Sequence, residues 1–427
     1  MAGRQLHLIR RARDFRLLFF AGIGSGLGSR LAVMALMVDV WDRTHSGKWV
    51  AALLVADFVP IIVIGLLLGS VVDRFSRRKL MIASDLVRCA VFVALPFTTG
   101  PAQVVALAGV AGFATGFFRP ALYAGLPNLV DDEELADANG IFQAAENITW
   151  MLGPLLGGVL LSFSTPDIAY WFNAVTFLAS ALLIARIAER KLQTEKALSE
   201  GHWRDLAEGF RLAGRSRALL TVIVGWSLAM LAIGNSDVAE VELAKVAFGA
   251  GNFGFGLLMA ASGLGLILGS FGASWTTDRF GTAVAYGGSI ALMSVGLGVT
   301  AVAPNVWVAA VFVVAFGLGN GIAVVMNSLL IQRGTPDHLR GRAFTLAMSV
   351  TYSAVFIGML VGGFISDAYG ARWAWGVAAI VAGAAALASY GLARGIPEQR
   401  GHVEAEEALP IVSAAASDTA EVGALRE

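Results

Sequence analysis

Apolar residues in this chain come in long runs separated by short polar stretches. Leu17–Leu36, Val50–Val72, Val104–Phe118 and Val306–Leu318 carry few or no charges. An α-helix rises about 1.5 Å per residue, so about 20 residues cross a hydrocarbon core roughly 30 Å thick. In lipid every backbone N–H and C=O must pair within its own segment, so runs of this length read as helices. The pattern predicts an all-α integral membrane fold with twelve spans near 17–40, 49–72, 80–98, 102–124, 140–162, 168–188, 218–238, 252–274, 283–302, 305–330, 343–366 and 372–394.

Composition agrees. Of 427 residues 57% are hydrophobic and only 15% charged, too few to cover a soluble particle of this size, and mean hydropathy is +0.71. The 50 glycines suit helices that pack closely on small residues. Net charge is zero, which points away from nucleic acid. The one cysteine, Cys89, permits no disulfide within the chain and no cysteine metal site. The basic start, 1–16, runs into the first span with no small-residue cleavage pattern, so that span is expected to be retained.

Twelve spans put both termini on one side. With that side inside, inner segments hold 24 Lys and Arg and outer loops four: Arg43, Lys48, Lys245 and Arg372. The imbalance predicts cytoplasmic termini in a cell inner membrane. Two six-helix bundles, 17–188 and 218–394, flank a linker at 189–217. Trp203, Leu206, Phe210 and Ala213 give that linker helical spacing, so it reads as a helix lying on the inner leaflet or as a solvated connection. Residues 395–427, acidic and Ala-rich, have the composition of a disordered tail.

Three features recur at one offset. Asp73-Arg74-Phe75 matches Asp278-Arg279-Phe280. Gly112 and Gly116 match Gly317 and Gly321. Gly153, Gly157 and Gly158 match Gly358, Gly362 and Gly363. Each pair is 205 residues apart, which argues for a duplicated six-helix unit, a natural frame for a site between two rocking halves.

The stretch Gly69-x3-Asp73-Arg74-x2-Arg77 after span 2 resembles the loop signature of the major facilitator superfamily, with Ser76 where that family usually has glycine. The resemblance implies that Gly69 allows close packing and that Asp73 meets a helix N-terminus of the opposite half, latching the inner face with Arg74 and Arg77. Unpaired N–H groups and the positive dipole end make such a contact favourable. Gly140-x8-Thr149-x3-Gly153-Pro154-x2-Gly157-Gly158 resembles the superfamily's antiporter motif, with Thr149 replacing the middle glycine. That motif implies export. Asp85-Leu-Val-Arg88, Pro120-Ala121, Leu126-Pro127, Ala138-Asn139 and Arg340-Gly-Arg342 are similar to the drug-antiporter branch that includes macrolide-efflux and enterobactin-export proteins.

Ionisable groups inside a membrane are costly and therefore candidates for function. Arg30, Asp57 and Glu146 fall on spans that line the cavity in the resembled family. Arg30 is read as paired with Asp57 at rest, or as a contact for an acidic substrate group; Glu146 and Asp57 are the candidates for carrying a coupling proton. Asp85 and Arg88, three apart on one helix face, are read as a structural pair. Arg119 is placed at the inner gate with Asp278, the latter expected to matter less than Asp73. Asn235, Asn320 and Asn327 are either substrate contacts or links between helices, and Trp150 and Trp226 lie on cavity spans. Asp237, Glu240 and Glu242 crowd the outer end of span 7 and read as a solvated mouth. All five histidines fall in loops or tails, which leaves none as a buried proton carrier.

No HExxH, GxSxG or GxxxxGK[ST] pattern occurs, so neither a membrane enzyme nor an ATP-driven pump is expected. The reading is a secondary transporter working by alternating access. It is expected to be monomeric, without cofactor, energised by a proton gradient, and to export drugs or amphipathic natural products. Lipid, lysolipid or siderophore transport and small-solute uptake are the alternatives.

Overall fold

A computed structural model describes residues 8–67, 75–192, 216–335, 340–394 and 396. Its twelve long helices are α1 Arg13–Thr44, α2 Gly47–Leu67, α3 Arg77–Ala94, α4 Pro101–Gly125, α5 Leu135–Ser162, α6 Pro166–Ala185, α7 Arg217–Ala247, α8 Gly251–Phe280, α9 Thr282–Val302, α10 Val306–Gly334, α11 Arg340–Tyr369 and α12 Ala371–Ala393. All twelve are long and apolar enough to cross a membrane. Gly69, Asp73 and Arg74 lie outside the described residues, as do most of the linker with Trp203 and nearly all of the tail.

Local chemistry ends the helices where the pattern breaks. His45 closes α1 in a left-handed conformation, its N–H donating to Trp41 O. Gly281 and Gly370, at φ 77° and 88°, make the turns before α9 and α12. Pro101 and Pro166 start α4 and α6, where a missing N–H costs nothing. Asn305 caps α10 by accepting from the N–H groups of Trp307 and Val308. Ser76, at the usual glycine position of the loop signature, caps α3 by accepting from Lys79 N–H. Ser76 and Lys79 also donate to Glu189, which holds that exposed carboxyl below its ordinary range.

The two halves repeat one packing scheme. In the first, α1 packs on α5 and α6, α2 on α4, and α3 on α4 and α6; α7 to α12 repeat each pairing. The repeat holds at single residues. A Cβ on Gly112 would lie 2.1 Å from Asp57 O, and one on Gly317 would lie 2.2 Å from Ser262 O. Both members of the first pair sit 205 residues before their counterparts. The halves meet along α5 with α8 and α2 with α11.

Several helices outrun the sequence expectation. The largest change is in α7, which continues nine residues beyond the expected end at 238. Its interior is α-helical, but Val222–Trp226 and Leu243–Ala247 form π-helical turns.

Candidate functional site

The chain's basic segments, Arg77–Lys79 and Arg186–Lys191, mark one end of the bundle, here the basic end; the helix ends near Thr44, Ser162, Ala247 and Tyr369 mark the far end. At the far end the halves are bolted together. Asp367, at the end of α11, accepts from Gly47 N–H at 2.5 Å and Ser46 Oγ at 2.9 Å and lies 3.5 Å from Lys48 Nζ. Lys245 pairs with Asp42. Asn252 Nδ2 donates to Leu161 O at 2.8 Å. Beneath these contacts α5 crosses α8 so closely that a Cβ on Gly158 would lie 2.8 Å from Gly256 Cα. Asp367 meets the first N–H of α2, which has no partner within the helix, so the bond satisfies an end group and a charge together.

Below this seal the halves part around a cavity of about 640 Å³. Trp150, which lines both this cavity and a smaller adjoining space, is 46% exposed, so the space between the halves is accessible. The cavity runs from Asp237 and Glu240 near the far end to Val222, Ile331 and Phe344 towards the basic end. Its volume falls in the range that holds drug-sized molecules, roughly 300–1,000 Å³.

Several charged groups depart from the sequence reading. Arg30 lines the cavity, but no carboxylate among the described residues lies within ion-pair distance of it. Its guanidinium carbon sits 3.3 Å from the centroid of the Trp150 ring. Span order gave the depth of Arg30 and Asp57 but not the rotation of their helices, and that rotation turns Arg30 toward α5. Arg119, expected at a gate, lines a smaller space adjoining the cavity and pairs with Glu146 Oε1 at 3.2 Å. Glu146, eleven residues into α5, is therefore a paired carboxylate. Asp57 lines the adjoining 370 Å³ space on the first-half side. Asp85 and Arg88 pair at 2.5 Å, and the guanidinium lies 4.3 Å from both the Phe118 and Phe177 rings.

The antiporter-motif residues divide by role in packing. A Cβ on Gly153 would strike Arg30 Cβ at 2.5 Å, and Gly157 faces Met34 Sδ at 3.1 Å, so both seat α1; Gly158 seats α8 of the other half. Gly140 is exposed. Thr149 turns its hydroxyl back to Glu146 O at 2.7 Å, and α5 runs through Pro154 without a break. Arg77 donates to Ala124 O and Leu192 O, tying α3 to neighbours in its own half, and Asp278 is exposed at the end of α8.

Among the asparagines, Asn320 and Asn327 line the cavity. Asn327 also accepts from the buried Tyr286 hydroxyl at 2.5 Å. Asn235 instead donates to Ala374 O at 2.9 Å and links α7 to α12. Trp226 is 8% exposed and forms part of the wall.

A family model described as transmembrane secretion effector matches residues 9–413. The chain belongs to this family. It is a major facilitator transporter of the drug-efflux branch. The multidrug efflux pump Tap of Mycolicibacterium fortuitum is 24% identical over 369 residues, covering 83% of this chain and 89% of that protein. Macrolide efflux protein A of Streptococcus pyogenes is 24% identical over 367 residues, covering 80% and 86%. Among solved structures, a bacterial homologue of the iron transporter ferroportin in an inward-facing state aligns with a TM-score of 0.70 at 16% identity, covering 89% of this chain and 97% of that one. The last likeness speaks to fold alone.

Two features of this transporter escaped the sequence reading. Asp367 and its partners lie about 320 residues apart, and no local pattern announces them. Asp237 and Glu240, expected in a solvated mouth, line the cavity, and Glu240 is only 8% exposed. Glu242 is half-buried and accepts from Ser366.

The Arg30–Trp150 contact has a direct test. A partly desolvated cation–π pair is worth about 1–2 kcal/mol. Arg30→Ala and Trp150→Ala should be non-additive in thermal unfolding, with a coupling of about 1 kcal/mol. Asp57→Asn should not rescue Arg30→Ala. Rescue by Asp57→Asn, with additivity between Arg30 and Trp150, would restore the ion-pair reading.

Proposed function

We propose that this chain exports small amphipathic molecules across the cytoplasmic membrane by alternating access, coupled to proton entry. The observation that carries the reading is the cavity between two repeated halves, bolted at the far end and extending towards the basic end. The names of the efflux relatives support export of drugs. By the positive-inside rule the basic end is cytoplasmic, so the described conformation faces inward. The mostly apolar wall, with Trp226, Met230 and Phe316, suits a lipophilic body. Asp57, without an ion-pair partner among the described residues, is the first-half candidate for the coupling proton; Glu146 is the weaker one because Arg119 balances it.

Purified protein in vesicles with an imposed pH gradient gives the test. Ethidium and erythromycin should accumulate against their gradients without ATP, and an uncoupler should abolish accumulation. Asp57→Asn should remove uphill transport and spare downhill exchange. A requirement for ATP, or accumulation indifferent to the uncoupler, would overturn the proposed coupling, and no flux of either drug would overturn drug export.

A further inference from the structure

The cavity walls differ in charge. In the adjoining first-half space Arg30, Arg88 and Arg119 accompany Asp57 and Glu146, three cations with two carboxylates, and Arg88 is paired with Asp85 behind it. On the α7 wall the charged cavity residues are Asp237 and Glu240, with no cation among the described residues lining that side. Three residues apart on one helix, these two present neighbouring carboxyl groups. Glu240 is nine-tenths buried and has no hydrogen bond or ion pair among the described residues. A buried carboxylate without a partner is costly, so this group is neutralised either by a proton or by a cation that arrives from the cavity.

Position adds to the case. Glu240 precedes the end of α7 by seven residues, about 10 Å along the helix, which puts it at the closed, far end of the cavity. Two residues on, Glu242 joins Ser366 next to Asp367 of the far-end seal. The pair is also absent from the duplicated scaffold. Its positions in the first half, 205 residues earlier, are Ala32 and Ala35. Likewise α1 is an unbroken α-helix, whereas α7 carries a π-turn on each side of the pair. Such turns are frequent at functional sites.

Resting on the export reading above, we propose that Glu240, supported by Asp237, receives the positively charged group of a lipophilic organic cation. The apolar body lies against the wall formed by Met37, Met259 and Met359, which sit seven to ten residues from the far ends of their helices as Glu240 does, and whose flexible thioethers adapt to different shapes. Arg30 on the opposite wall repels the cationic end and so fixes the substrate's direction. Binding places a charge directly beneath the far-end seal.

Two probes of similar size separate charge from lipophilicity: methyltriphenylphosphonium, permanently cationic, and triphenylphosphine oxide, neutral. Equilibrium binding to the purified full chain should favour the cation at least tenfold. Glu240→Gln should weaken cation binding tenfold or more and leave the neutral probe unchanged, which also serves as the folding control. Asp237→Asn should give a smaller loss of the same sign. Equal affinity of the wild type for both probes, no binding of the cation, or full cation affinity in Glu240→Gln each overturns the proposal. If those results appear while vesicles still export drug, the site fails and the export reading stands; if cation binding behaves as expected but no vesicle flux occurs, the reverse holds.

Discussion

Asp367→Ala is expected to shift the transporter toward opening at the far end by about ten- to a hundredfold. The carboxylate accepts from Gly47 N–H and Ser46 Oγ and sits beside Lys48, and all three contacts join opposite halves. Hydrogen bonds to a charged group are worth about 1.5–3 kcal/mol, and 1.4 kcal/mol is tenfold in a population ratio. Lys48 is 51% exposed and adds little. On the proposed alternating-access cycle these contacts break when the far end opens, so their loss is expected to act on the equilibrium between states rather than on folding. Spin labels at Thr99 and Val302, with Cys89 replaced by serine, would report the far-end distance. The longer distance should gain population in Asp367→Ala and gain less in Asp367→Asn, which keeps an acceptor for Gly47. An unchanged distribution in Asp367→Ala would rule out the bolt.

Gly256→Ala is expected to prevent full far-end closure and to stop transport. A Cβ there would lie 2.7 Å from both Gly158 Cα and Pro154 O. Ordinary overpacking costs about 1–3 kcal/mol because side chains can yield. Here the obstruction is backbone on a helix of the other half, so the halves themselves must separate. Each half keeps its own packing, so the protein should still fold and bind lipophilic probes. Gly272→Ala on the same helix is the control, since nothing lies within 4 Å of its added Cβ. Normal flux in Gly256→Ala would mean that α5 and α8 need not approach this closely at any stage of the cycle.

The sequence reveals the fold because lipid imposes a simple rule: long apolar runs become helices, and their glycine contacts repeat at 205 residues. It reveals the site less well because a transporter has a third environment besides water and lipid. Hydropathy assigns Asp237, Glu240 and Glu242 to water and ends the seventh span early, whereas these side chains face the cavity or neighbouring helices. Helix rotation is also hidden. Asp85 and Arg88 share one helix, so their spacing suffices to pair them; Arg30 and Asp57 are on different helices, and the rotation of α1 gives Arg30 to Trp150. Asp367 is invisible for a related reason, since its partners follow the first span and it closes the eleventh.

The mismatch between the two copies bears on how such a protein can change. The glycine contacts of the two copies correspond, while Arg30, Asp57 and Glu146 of the first copy are replaced at the equivalent positions by Asn235, Ser262 and Thr351 in the second, and the second copy's acidic pair stands where the first has alanines. Frame and chemistry are therefore separable parts of the inheritance. A lineage could acquire a new cargo by recolouring one wall, leaving the helix packing that both copies share untouched.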